Sequence, residues 1–192
     1  KNFEKALAIK PDYTEVNYNL GLTFQELGQL NAAVKCYEDA LVVNPEHAEA
    51  HNNLGVTLKE LGQLDDAIKS YEKAVALKPD YTEAHNNLGI VLMELGKHDA
   101  AVVHYEKALV IKPDYAEAHN NLGAAFHKLG QVDAALKCFK KALDIKADYA
   151  DVYANLGNAL KDLGQLDEAL VSYESAISFD PDLAFILGDY LH

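Results

Sequence analysis

Residues 48–81 read AEAHNNLGVTLKELGQLDDAIKSYEKAVALKPDY, and the spacing inside this stretch decides the fold. With Ala48 as position 1, His51, Leu54, Gly55, Leu58 and Leu61 recur at 4, 7, 8, 11 and 14, one face of a helix. Ala67, Tyr71, Ala74 and Val75 recur at 20, 24, 27 and 28, one face of a second helix. Between them lies Gly62, which can take the left-handed conformation that ends a helix. Pro79 disfavours helical geometry at the residue before it and stops the second helix. The segment is therefore two amphipathic helices, A and B, joined by a glycine turn. Asp65 is placed to N-cap helix B. Asp80 and Glu83 have capping-box spacing at the start of the next helix A, as do Asp12/Glu15 and Asp114/Glu117.

The pattern repeats every 34 residues in both directions. Gly21, Gly55, Gly89, Gly123 and Gly157 share one slot, and Gly28, Gly62, Gly96, Gly130 and Gly164 share another. Pro11, Pro45, Pro79, Pro113 and Pro181 keep the same period, with Ala147 in the one remaining slot. A period of this length means stacked units rather than one globule. Five full units run 14–47, 48–81, 82–115, 116–149 and 150–183. Residues 1–13 read as helix B of a preceding unit, and 184–192 as the start of a capping or junction helix, all in one continuous array. A lone hairpin cannot bury its apolar face, so neighbours bury it. Glycine at 8 and alanine at 20 are expected to let helices A and B approach closely. The ring at 24 (Tyr37, Tyr71, Tyr105, Phe139, Tyr173) and the alanine at 27 are expected to pack on the next helix A. Ala147, lacking proline's block, leaves two outcomes open: a longer helix B, or the usual turn kept by Asp148.

Composition narrows the function. Seventeen basic residues face 30 acidic ones, for a net charge of -13, and every basic residue is lysine. Absence of arginine and an acidic surface argue against nucleic acid and anionic lipid as partners. No apolar run approaches the ~18 residues of a membrane span. Beginning at Lys1, the chain reads as a stretch of a longer protein. Cys36 and Cys138 are three periods apart, which places them beyond disulfide reach and implies free thiols in a reducing, cytoplasmic compartment. His51, His85 and His119 recur one unit apart, too far to share a metal, and read as inter-helix packing. No nucleophile sits beside a plausible base and no glycine-rich phosphate loop is present, so the chain reads as non-catalytic and without a cofactor.

The Leu-Gly, Ala, aromatic, Ala and Pro positions together resemble the tetratricopeptide repeat. Position 4, often tryptophan in that family, is Asn17, His51, His85, His119 and Tyr153 here. The resemblance implies an all-α, right-handed superhelical solenoid of antiparallel helix pairs. It also implies a concave groove lined by helix A. Mapped onto that groove, position 6 is an asparagine ladder (Asn19, Asn53, Asn87, Asn121, Asn155), flanked by Asn52, Asn86 and Asn120 at 5 and by Val56 and Ile90 at 9. An amide both donates and accepts, which suits an extended peptide held by its backbone. The same ladder could instead bond a neighbouring unit. Acids at position 2 (Glu15, Glu49, Glu83, Glu117, Asp151) suit a helix start, and could also draw basic segments.

The stretches AEAHNNLG and LGQLDEAL, followed by PDLAFILGDYLH, resemble the end of the repeat array in bacterial relatives of the O-GlcNAc transferase/SPINDLY group. That resemblance implies a substrate-recognition region of a glycosyltransferase whose catalytic domain is absent here. The alternative is a freestanding scaffold that assembles complexes or associates with itself, end to end or by its convex face. Either way the expected partner is a protein or extended peptide, neutral to basic.

Overall fold

The structure is a computed structural model that describes residues 11–184. Ten helices and no strand occur among the described residues. The A helices are α1 (Pro11–Glu26), α3 (Ala48–Glu60), α5 (Thr82–Glu94), α7 (Ala116–Lys128) and α9 (Ala150–Asp162). The B helices are α2 (Leu30–Val43), α4 (Leu64–Leu77), α6 (His98–Ile111), α8 (Val132–Ile145) and α10 (Leu166–Phe179). The chain forms two compact units, one up to Leu95 and one from Gly96, the border falling between the helices of the 82–115 repeat. In the first, α1 to α5 each pack on the next helix in sequence, and the A helices α1, α3 and α5 also touch one another in succession. In the second, α6 to α10 pack in the same succession, and α7 touches α9. Residues 1–10 and 185–192, which hold most of the expected partial helix B and of the expected capping or junction helix, lie outside the described residues.

Four hairpins close around one contact between a ring and a glycine. A Cβ built on Gly55 would sit 2.7 Å from Cε1 of Tyr71. The same holds for Gly21 under Tyr37, Gly123 under Phe139 and Gly157 under Tyr173, at 2.5–2.6 Å. The ring at 24, not the alanine at 20, fills the space that the missing Cβ leaves. The alanines at 20 and 27 are buried behind it. In the second unit Phe139 and Ala142 join Val152 and Ala159 of the following helix A in one apolar cluster, as expected from the sequence.

The A-to-B turn follows from Gly62. Its φ is +74°, and equivalent glycines at 28, 96, 130 and 164 lie between +69° and +76°. Gly62 N–H donates to Lys59 O at 2.8 Å and Gln63 N–H to Leu58 O at 2.9 Å, the paired bonds of a Schellman motif.

Two capping expectations are corrected. Helix B begins after Gln29, Gln63, Lys97, Gln131 or Gln165, none of which makes a side-chain cap. Asn31, Asp65, Asp99, Asp133 and Asp167 therefore lie inside the first turn, where the acids complement the helix dipole instead of capping. The capping boxes are absent too. Asp12 lies within α1, and Tyr81 and Tyr115, not Asp80 and Asp114, are the N-cap residues of α5 and α7. The reason is the B-to-A turn. Tyr81 N–H donates to Lys78 O at 3.0 Å while the Lys78 ammonium sits 4.7 Å from the Tyr81 ring centre. Lys112 on Tyr115 and Lys146 on Tyr149 repeat the stack at 5.0 and 4.6 Å. Ala147 changes nothing: α8 ends at Ile145, in register with the other B helices.

Gly55→Ala is expected to lower stability by about 1–3 kcal/mol, because the Tyr71 ring must leave its seat. Urea titration followed by far-ultraviolet circular dichroism measures it. Pairing it with Tyr71→Leu should shrink the loss, since a smaller side chain gives way.

Candidate functional site

Helix A carries the residues expected to line a groove, and their polar atoms prove to be partly committed within the fold. In the first unit, Asn53 Nδ2 donates to the Tyr18 hydroxyl at 3.0 Å, and Asn87 Nδ2 to Asn52 Oδ1 at 3.1 Å. In the second, Asn155 Nδ2 donates to Asn120 Oδ1 at 3.0 Å. Each bond runs from position 6 of one repeat to position 5 of the repeat before it. The amide ladder thus fastens neighbouring A helices. Asn52 Nδ2 also donates to Asn53 Oδ1 at 3.1 Å, closing the network from Tyr18 to Asn87.

Burial separates the asparagines further. Asn52, Asn86 and Asn120 are 6%, 1% and 8% exposed, so no ligand reaches them while the helices stay packed. Asn53, Asn87, Asn121 and Asn155 are half-buried and Asn19 is exposed. Val56 and Ile90, one turn further along α3 and α5, are half-buried as well. Asn87 and Asn155 have each spent Nδ2, and their Oδ1 atoms have no protein partner among the described residues. Tyr18, at the start of the network, lies with its ring centre 4.8 Å from that of His47 at a 32° tilt, and burial pushes its phenol above the ordinary value.

Position 4 does the same job in several repeats. Nε2 of His51, His85 and His119 donates to the carbonyl of Pro45, Pro79 and Pro113 at 3.0, 3.1 and 2.9 Å. A carbonyl only accepts, so Nε2 carries the proton. Tyr153 bonds likewise through its hydroxyl, donating to Ala147 O at 3.3 Å. Burial holds the His51 imidazole below its ordinary 6.5, outweighing the carbonyl that favours the charged form.

The acid column behaves as helix starts do. Glu49 is held below the usual carboxylate range, first by its own backbone N–H at the head of α3 and also by Lys78, whose Nζ is 3.1 Å from Oε1. His47 Nδ1 accepts from Ala50 N–H at 3.3 Å, capping the same helix.

Both cysteines are free thiols. Burial, with Glu106 adding, pushes the Cys138 thiol up to about 11, far from thiolate chemistry at neutral pH. Among the described residues no three His, Cys, Asp or Glu side chains gather to hold a metal. No described helix is long and apolar enough to cross a membrane.

Comparison with known proteins agrees with this geometry. A model of the TPR repeat matches residues 23–62, 57–96, 91–130 and 125–164, and a tetratricopeptide repeat model matches 150–183. Among solved structures, one of MamA is 27% identical over 86% of this chain and 96% of its own, with a TM-score of 0.78. TTC0263, a thermophilic TPR protein of Thermus thermophilus, is 28% identical over 93% of this chain and 98% of its own, at 0.75. YrrB, described as a TPR protein with an unusual peptide-binding site, is 22% identical over 98% of this chain and 97% of its own, at 0.77, and shares the fold. No curated protein matches the sequence. The chain belongs to the tetratricopeptide repeat family. The expected kinship with O-GlcNAc transferase repeats gains no support from these relatives.

The lowered His51 value gives a pH dependence of definite sign. The folded state binds the proton less well than the unfolded chain, so this contribution is full above 6.5 and is lost as pH falls below it. Stability of the native protein relative to His51→Tyr should therefore decline between pH 7.5 and 5. Parallel urea titrations check it. Tyr18→Phe should separately cost about 0.5–1.5 kcal/mol, because Asn53 Nδ2 loses its acceptor.

Proposed function

We propose that this tetratricopeptide-repeat chain is a non-catalytic binding module that lays an extended peptide across its A helices. The observation that carries the reading is the half-spent amide at position 6. Nδ2 of Asn87 and Asn155 is fixed by the preceding repeat, which orients the side chain and leaves Oδ1 open to accept. Packed helices are spaced roughly 8–10 Å apart, and an extended chain advances roughly 3.3 Å per residue. Within one compact unit, position 6 side chains of successive A helices are then about three peptide residues apart, and an open Oδ1, as at Asn87 or Asn155, accepts one backbone N–H of the peptide. Val56 and Ile90 offer apolar contact beside the amides.

Such recognition reads the backbone more than side chains and is tolerant of sequence. The net charge of -13 favours neutral to basic partners overall and disfavours nucleic acid. Free thiols at Cys36 and Cys138 fit a reducing, cytoplasmic setting. Service as the substrate-recognition region of an O-GlcNAc-transferase-like enzyme is one use of such a module, and a freestanding scaffold that assembles complexes is the other; YrrB, of the same fold, is described as having a peptide-binding site. Association between copies is a second reading. It rests on apolar side chains left exposed on B helices, among them Val42 and Val110 at 68% and 82%.

The test is a peptide selected from a random library on the native protein, followed by titration. Val56→Asp/Ile90→Asp should weaken it at least tenfold, about 1.4 kcal/mol, with the melting transition in place. Unchanged affinity would exclude the helix A face as the binding surface.

A further inference from the structure

The B helices differ in the sign of the charge they show to solvent. α8 carries Lys137, Lys140 and Lys141 against two aspartates, and it is the one B helix among the described residues on which lysines outnumber acids. α10 carries Asp167, Glu168 and Glu174 and no lysine. All six side chains are exposed. With about 3.6 residues per turn, the three lysines share one face of α8, and Asp167, Val171 and Glu174 share one face of α10. Among the described residues no ion pair holds any of the six charged groups. In a chain of net charge -13 the basic face of α8 is the exception.

Beside α10 an open cavity of about 450 Å³ adds shape to the charge. Leu160 of α9 and Val171 of α10 are its apolar lining, and Asp167 and Glu168 supply carboxylates. Ser172, the remaining wall, has its hydroxyl donating to Glu168 O at 2.8 Å. Such a cavity fits a lysine side chain: the four-carbon stem lies on the apolar lining and the ammonium reaches the carboxylates. Val171 stands at position 22, which Lys35, Lys69 and Lys137 occupy in three other repeats. One substitution thus gives α10 an apolar seat and removes the cation that would repel an incoming lysine.

α8 and α10 both pack on α9. As equivalent helices of successive repeats, they run in the same direction along it. A two-fold axis parallel to them and midway between them sets α8 of each copy over α10 of the other, so the same pairing is made twice. We propose that this face joins two copies of the chain, with Lys137, Lys140 and Lys141 of each against Asp167, Glu168 and Glu174 of the other, one lysine stem seated in the cavity. The proposal rests on the reading of association between copies given above, and assigns that contact to α8 and α10. Charge complementarity selects the occupant, because the acidic strip that matches α8 is carried by the same chain. Each helix is about 21 Å long and packed helices lie roughly 8–10 Å apart, so the footprint is small and the dimer is weak and reversible. Salt of about 0.1 M screens charges beyond about 10 Å, which mutes the repulsion between two acidic chains and spares pairs in contact.

The experiment is sedimentation velocity over a concentration series, on native protein, on Lys137→Glu/Lys141→Glu and on Glu168→Lys/Glu174→Lys, each checked for an intact melting transition. Native protein should dimerise reversibly in about 0.1 M salt and separate in about 1 M. Each variant alone should associate at least tenfold more weakly. An equal mixture of the two variants should form a heterodimer, since every reversed helix then meets its complement. Native protein that stays monomeric throughout overturns this contact and the reading of association, and leaves the peptide-binding module in place; binding of that monomer to phosphatidylserine vesicles through the α8 lysines would make a lipid surface the occupant instead. Variants that dimerise as native protein does overturn the α8 and α10 face while association stands. Variants that are weakened singly and gain nothing from mixing overturn the reciprocal pairing.

Discussion

An aromatic ring resting where a Cβ would be is the contact on which the hairpins depend. The glycine at 8 and the ring at 24 are sixteen residues apart in sequence, as Gly55 and Tyr71 are, yet they meet at a distance that a Cβ at position 8 would forbid. The ring sets how closely helix B lies on helix A. Its far side then meets the next repeat, as Phe139 does with Val152 and Ala159. One contact thus closes the hairpin and primes the stacking step. Dispersion and burial supply the energy, since a close-packed ring loses heavily from any gap. This is why the core needs no central mass of large side chains: alanines at 20 and 27, buried at each repeat, suffice around the ring.

A second layer of constraint is polar and links repeat to repeat. The bonds from position 6 to position 5 run between neighbouring A helices in both compact units. They cost the site some of its hydrogen-bonding capacity and give orientation in return. A free asparagine rotates, and a ligand must immobilise it; an asparagine fixed through Nδ2 presents Oδ1 already aimed. Within the last repeat Asn158 is anchored as well, its Oδ1 accepting from the Tyr173 hydroxyl at 2.9 Å.

The helix pairs, their 34-residue period, the left-handed glycine and the close approach at position 8 were legible because each is a sequence-local demand on residue type or spacing. Gly62 is there for its φ, and no other residue adopts +74° as cheaply. What stayed hidden involves choices between neighbours of similar chemistry. Asp65 and Asp80 are good capping residues, yet the Schellman turn and the Lys–Tyr stack each shift the helix start away from them. Asn52 and Asn53 are the same residue type side by side, and only packing makes the first buried and the second half-exposed.

The position 4 bond has a consequence for how such an array can change over generations. Its acceptor is a main-chain oxygen, so the donor is indifferent to the side chain on the accepting residue. Ala147 stands where the other turns have proline, and its carbonyl still meets a donor, the hydroxyl of Tyr153. A freshly duplicated hairpin can therefore lose its proline, or trade histidine for tyrosine, and keep the turn. Lineages built this way can lengthen first and diversify their binding face afterwards, with the joints between units insulated from that drift.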